Sequence, residues 1–204
     1  MTMTAADLHQ LQPAMTDRQR KRFLNVGCGS AGPERLPECL RQPGWEQIRL
    51  DINPAVKPDI IASTTDLSAV ETGSVEAVFS SHNLEHLYPH ETVVALKEMH
   101  RVICPGGFLL ITLPDLQQVA HWIARGKLTE TLYDSPAGPI TPLDILYGHR
   151  ASVEKGNTFM AHKCGFDKKS LSEALVNAGF AEVRVKADAH YNLWGYAQKA
   201  TSAN

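Results

Sequence analysis

The chain has 204 residues, 43% of them hydrophobic and 21% charged, with a formal net charge of −2. These values fit one soluble globular unit long enough for a full core, and they give no electrostatic reason to expect a nucleic-acid or anionic-membrane partner. Cys28, Cys39, Cys104 and Cys164 are scattered without a C-x-x-C pair, the pattern of reduced thiols rather than of a disulfide framework or a zinc site.

Residues 1–20 read as a weakly ordered lead-in with one helical turn around Leu8 and Leu11. They lack the basic and apolar regions of a signal peptide, and no apolar run reaches the length of a membrane span, so a cytoplasmic location is expected. The basic run Arg18-Gln19-Arg20-Lys21-Arg22 reads as a solvated approach to the first strand. That strand, Arg22–Val26, stops at Gly27-Cys28-Gly29 and turns through Ser30-Ala31-Gly32. Glycines after a strand let bare backbone approach a ligand where a Cβ would clash. Pro33 and Pro37 then limit any helix to a short one over 37–42.

A second strand, Glu46–Leu50, delivers Asp51, an acid placed to accept hydrogen bonds from two ribose hydroxyls. Together with the glycine turn it points to the nucleoside part of a cofactor, held at the C-terminal edge of a parallel sheet. Strand three is expected over Asp59–Ala62, with Asp66 and Leu67 in the loop beyond, and strand four over Val75–Phe79. Ser80, Ser81 and His82 then leave the sheet edge. A helix over Glu91–Val102 shows an apolar face at Val94, Leu96, Met99 and Val102. The turn Cys104–Gly107 leads to a sheet-centre strand, Phe108–Leu113.

Residues 115–166 break the alternation with eight prolines and glycines. Their Trp122, Tyr133, Tyr147 and Phe159 suggest an ordered lid. Asp167–Ala178 reads as a helix with Asp167 as N-cap, a stripe of Leu171, Leu175 and Val176, and Gly179 ending it. Phe180–Ala187 and Tyr191–Lys199 pair as an antiparallel hairpin.

Gly27-x-Gly29-x-x-Gly32 matches a dinucleotide fingerprint. A dinucleotide pyrophosphate, however, wants a full helix after the third glycine, and the prolines stunt it. S-adenosylmethionine carries no phosphate and does not need that helix. At this point the residues resemble a family. The LNVGCG loop, Leu50-Asp51-Ile52, Asp66-Leu67, the run from Ser81 to Leu87, Arg101–Gly107, Leu113-Pro114-Asp115 and His162–Asp167 ahead of Ala178-Gly179-Phe180 are together similar to the small type 11-like class I S-adenosylmethionine-dependent methyltransferases.

The resemblance implies a Rossmann-like α/β fold. Its seven-stranded, mostly parallel sheet has an antiparallel C-terminal strand and a lid insertion between strands five and six. It implies that the backbone of Gly27, Cys28, Gly29 and Ser30 meets the methionine end and that Asp51 holds the ribose. Ile52 would pack on adenine, Asp66 would take its amine and Leu67 would cover the ring, with Ser80 and Ser81 beside the methionine part. Asn25 stands where many relatives have an acid, and would orient the loop or accept from the cofactor ammonium.

His82-Asn83-Leu84-Glu85-His86 spells H-x-x-E-H, but nothing makes it helical, so no metal is expected there. His82 leaves the sheet edge near the expected reactive methyl, and His149 and His162 flank the lid. These three histidines are the candidate bases or walls for an acceptor, whereas Glu85 and His86 read as loop anchors and Asp115 as a helix cap. The expected activity is methyl transfer to a small-molecule acceptor. The alternatives are a non-catalytic module binding S-adenosylmethionine or S-adenosylhomocysteine, and a nicotinamide dehydrogenase.

Overall fold

The computed structural model describes residues 20–201. The helical turn expected around Leu8 and Leu11 lies outside the described residues. β1 (Lys21–Val26) buries its last four residues, as a strand covered on both faces must. It pairs in parallel with β2 (Trp45–Asp51) on one side and β4 (Val75–Ser81) on the other. β3 (Ile60–Ile61) extends the sheet beyond β2, and β5 (Ile103–Pro114) beyond β4.

The chain then leaves the sheet and comes back through β8 (Glu182–Ala187) and β9 (Asn192–Gln198). β9 slots antiparallel against β5, and β8 lies antiparallel outside it. The order is β3-β2-β1-β4-β5-β9-β8. A short turn is enough to reverse β9, whereas a parallel strand would need a crossover. This is the expected seven-stranded sheet.

One face carries most of the core. There α1 (Pro89–Val102) and α5 (Lys168–Asn177) set Leu96, Met99, Leu171 and Leu175 against Leu24, Val78, Leu109 and Ile111. Gly195 allows the close approach of α5, since a Cβ there would press on Ile111 and Leu175. The other face is aromatic. Phe23, Trp45, Phe108 and Tyr196 follow one another across it at ring separations of 6.0, 6.2 and 5.6 Å. Leu36 and Leu40, from the stretch after β1, pack over Phe23 and Phe79.

Several expectations need correcting. The helix over 37–42 is replaced by two single 3-10 turns, Pro33–Arg35 and Glu38–Leu40, because Pro37 falls between them. β3 shrinks to two residues, and β4 runs on through Ser80 and Ser81 before His82 turns away. The stretch 104–107 is counted within β5, where the pairing register slips between Val75 and Ala77. Val94 and Val176 are exposed, so the buried stripes are Ala95-Leu96-Met99-Val102 on α1 and Leu171-Leu175 on α5.

The segment between β5 and α5 is ordered. It comprises α2 (Leu116–Ala124), a hairpin of β6 (Tyr133–Ser135) and β7 (Gly138–Ile140), α3 (Pro142–Tyr147) and α4 (Arg150–Glu154). It has a small core of its own at Val119, Ile140 and Ile145, joined by Tyr133 and by Tyr191 from the β8–β9 turn. Tyr191 stacks on Tyr133 and meets Trp122 edge-on. Tyr147 and Phe159, expected to order the lid, are instead exposed. Asp115 caps α2 by accepting from the Gln117 N–H at 3.0 Å.

Candidate active site

The turn after β1 and the end of β2 meet directly. Gly27 and Cys28 donate their N–H groups to the Leu50 carbonyl at 2.9 and 3.1 Å. Gly29 donates to one oxygen of Asp51 at 2.8 Å, and Asn53 to the other at 2.9 Å. Gly27 and Gly29 both sit at positive φ, where an L side chain is strained. Beneath them, the Arg49 guanidinium donates to the carbonyls of Gly29, Val56 and Lys57, pinning the glycine turn to the loop after β2. The Cys28 thiol is buried, which pushes its pKa up despite the nearby Arg49. Its backbone matters here, not its sulfur.

Asn83 binds the next layer. Its amide donates to Thr64 Oγ1 at 3.0 Å and Ser80 Oγ at 3.2 Å, and its side chain lies against the bare Cα of Gly27, leaving no room for a Cβ. These residues edge a cavity of about 900 Å³ whose walls include Gly27, Gly29, Ser30, Asp51, Ile52, Ser63, Thr64 and Asn83. Ile52 is 50% exposed beside it.

The remaining cofactor candidates do not form its wall. Ser80 and Leu67 are fully buried, and Cys28 and Asn25 nearly so. Leu67 sits in the apolar core, its N–H bonded to Glu98 at 3.1 Å, so covering a ring would require it to leave that core. Asp66 accepts from the Ser68 N–H. Those hydrogen bonds lower its pKa, but neither Asp66 nor Ser81 lines the cavity. Thr64 and Asn83 line it instead.

The far wall is shared by the turn after β4, which supplies His82, Glu85 and His86, and the lid, which supplies Tyr133, Ile140, Ile145, His149, Phe159 and His162. His82 adopts the left-handed conformation at φ 48°. Its Nδ1 lies 3.2 Å from Glu85 Oε1, close enough for an ion pair but off the line of a hydrogen bond, so Glu85 keeps two buried oxygens without a hydrogen-bond partner. Burial acts to lower the His82 pKa, but contact with Glu85 and the more distant Asp188 outweigh it and raise it. Burial likewise opposes charge on Glu85, yet His82 and His86 hold its pKa low. Each group thus favours the charged form of the other.

His162 is different. Burial lowers its pKa despite Glu85, and its Nδ1 lies 2.7 Å from the Ile145 carbonyl. His149 places Nδ1 2.7 Å from Ser152 Oγ. Asp144 is buried yet ionised, because hydrogen bonds from Arg150 and Thr141 overcome its burial and hold it far below the usual carboxylate range. Burial and the Asp144 charge keep the Tyr133 phenol protonated. Cys164, buried and beside Glu85, is pushed up to about 11 and is no nucleophile.

A sheet with one reversed strand, and a glycine turn meeting an acid at the C-terminal edges of β1 and β2, define the Rossmann-like class I methyltransferase fold. Residues 24–111 match the family model described as a methyltransferase domain. A ubiquinone biosynthesis O-methyltransferase of Xanthomonas oryzae pv. oryzae is 30% identical over 126 residues, 52% of this chain and 51% of that protein. The chain thus aligns with about half the length of the curated relatives it matches.

A solved S-adenosylmethionine-dependent methyltransferase of Methanosarcina mazei shares the fold at a TM-score of 0.58 and 18% identity, covering 99% of this chain and 100% of that one. A 1,6-didemethyltoxoflavin-N1-methyltransferase of Burkholderia thailandensis, solved with 1,6-didemethyltoxoflavin and S-adenosylhomocysteine, does so at 0.54 and 13% identity, covering 90% and 72%. Among the described residues no helix is long and apolar enough to cross a membrane.

Proposed function

We propose that the protein transfers the methyl group of S-adenosylmethionine to a small, flat, partly apolar acceptor held beneath residues 115–166. The observation that carries this reading is the shared cavity, which Gly29 and Asp51 line together with the lid histidines His149 and His162. The residues fit the cofactor. A Cβ on Gly29 would meet nothing within 4 Å, and each Asp51 oxygen receives one backbone N–H, leaving a lone pair on each for a ribose hydroxyl. Ile52 offers an apolar surface beside the ring, and the Gly27–Ser30 backbone approaches the amino-acid end. When bound, the cofactor supplies an electrophilic sulfonium methyl group.

The chain itself positions the acceptor, excludes water and, for an oxygen or nitrogen acceptor, takes a proton. Tyr133, Ile140, Ile145 and Phe159 supply the apolar part of the acceptor wall. His149 is the residue to take the proton, since Ser152 fixes Nδ1 and leaves Nε2 for the cavity. His82, paired with Glu85 at 3.2 Å, serves to position. The toxoflavin-type and ubiquinone-pathway relatives support a small ring compound as acceptor.

Calorimetry with S-adenosylhomocysteine tests the cofactor site. Asp51→Ala should abolish binding, and unchanged affinity would remove the ribose assignment. His149→Gln should lower kcat by about 10²–10⁴-fold while leaving cofactor affinity alone. The cavity runs into the lid rather than stopping at the cofactor end, so nothing in the described residues favours a non-catalytic module.

A further inference from the structure

Three side chains at the acceptor end of the cavity turn on one another without a donor between them. Glu85 is 2% exposed, and neither carboxylate oxygen has a hydrogen-bond partner. A buried carboxylate in that state is costly unless a cation completes it. His82 approaches one oxygen from the side. The other two neighbours, His86 and His162, send their ring N–H elsewhere. His86 Nδ1 lies 3.1 Å from the Ala161 carbonyl and His162 Nδ1 2.7 Å from the Ile145 carbonyl. A carbonyl only accepts, so each Nδ1 carries the proton and each Nε2 presents a lone pair.

A backbone carbonyl on the far nitrogen is the usual way a metal-binding imidazole is oriented. The two rings lie 4.8 Å apart and inclined at 69°, and one ligand atom from each of Glu85, His86 and His162 falls within 4.8 Å of the others. The Lys163 and Cys164 N–H groups both donate to the Glu85 carbonyl, so the returning end of the lid is already clasped to the turn that carries Glu85 and His86.

We propose that Glu85, His86 and His162 bind a divalent transition-metal ion, zinc above all, and that its open position takes an oxygen atom of the acceptor. Two imidazoles, one carboxylate and a vacant fourth position are the ligand set of zinc sites that bind a substrate or water. Bonds of about 2.0–2.1 Å hold tetrahedral ligand atoms roughly 3.3 Å apart, so closure needs only side-chain adjustment. The set is not the H-x-x-E-H motif as spelled. His82 stays outside the set, its Nδ1 3.2 Å from Glu85 Oε1, and the third ligand comes from the lid. The metal site stands independently of the methyl-transfer reading, whereas the acceptor contact rests on it.

The test uses chelator-treated, cofactor-free protein, titrated with zinc against a chromophoric chelator and with cobalt(II) by visible absorption. One equivalent should bind, and the cobalt spectrum should be that of a four-coordinate ion. Glu85→Gln, His86→Gln and His162→Gln should each weaken zinc by about 100-fold or more, at least what losing an outer-shell partner costs. Should Glu85→Gln fail to fold, as judged by circular dichroism, the lid variant His162→Gln carries the test. No stoichiometric binding to the unaltered protein, or unchanged affinity in the variants that fold, overturns the site. Catechol added to the cobalt form should shift its bands, and an unmoved spectrum overturns the acceptor contact. S-adenosylhomocysteine binding to metal-free protein is read separately, so failure of the metal site and failure of the methyltransferase reading are distinguishable.

Discussion

Gly29 does two things at one position. Its φ of 56° makes the turn, and its missing side chain leaves the cavity open. Gly29→Ala should cost about 1 kcal/mol of stability in thermal denaturation, and it should weaken S-adenosylhomocysteine in calorimetry by more than that alone explains. Asn83 is the keystone next to it. Removing its two side-chain hydrogen bonds with Asn83→Ala should cost about 1–3 kcal/mol and loosen the glycine turn. The meeting of the glycine turn with Asp51 was legible because it follows from local spacing. The roles of Asn83 and Arg49 were not, since an Asn in a turn and an Arg in a strand look ordinary until the fold brings Ser80, Thr64 and three carbonyls within reach. Glu85 and His86, read as loop anchors, do tie the lid to the turn after β4, but no periodicity in the sequence shows that His162 lies beside them.

At the scale of elements, the strands were readable because their apolar runs are continuous, and the N-cap of α5 because Asp167 precedes a clear stripe. The cover after β1 was harder, as closely spaced prolines do not say how many short turns they divide. The C-terminal end of α1 carries its own pH dependence. Lys199 donates to the His100 and Ile103 carbonyls at 2.8 Å each, capping the helix with positive charge. His100 packs edge-on to Phe180 at 4.9 Å. Burial first, then the Lys199 charge, lower the His100 pKa. The unfolded chain therefore takes up the proton first as pH falls. Stability should be flat above the ordinary histidine value of about 6.5 and should decline below it towards the lowered folded value. His100→Gln should flatten thermal midpoints measured between about pH 5 and 7, with the slope that remains belonging to other low-pKa histidines such as His162.

Lid geometry is set by Gly148. It has a positive φ of 91° and bridges Ala161, and a Cβ there would overlap the Met160 carbonyl. Gly148→Ala should misplace His149 and His162 together, so activity should fall while S-adenosylhomocysteine affinity holds. Leu171→Ala, by contrast, removes a fully buried side chain from the main core and should cost about 2–5 kcal/mol by denaturant unfolding.

For the molecule as a whole, the two halves of the cavity have different origins. One half is built from strand ends and the turns that follow them, the other from one insertion. S-adenosylhomocysteine at about 100 times its Kd should raise stability by about 2.7 kcal/mol, and NAD at the same concentration should raise the melting temperature little, for want of a helix to meet its pyrophosphate. The insertion leaves and rejoins the sheet at one place: Asp115 bridges Phe166, and Leu116 donates to the Phe166 carbonyl at 3.0 Å. An excursion with its two ends buttoned together can be swapped as a cassette without re-threading the strands behind it. Descendants of such a chain can acquire new chemical clientele by rewriting one contiguous stretch, while the nucleoside berth is inherited untouched.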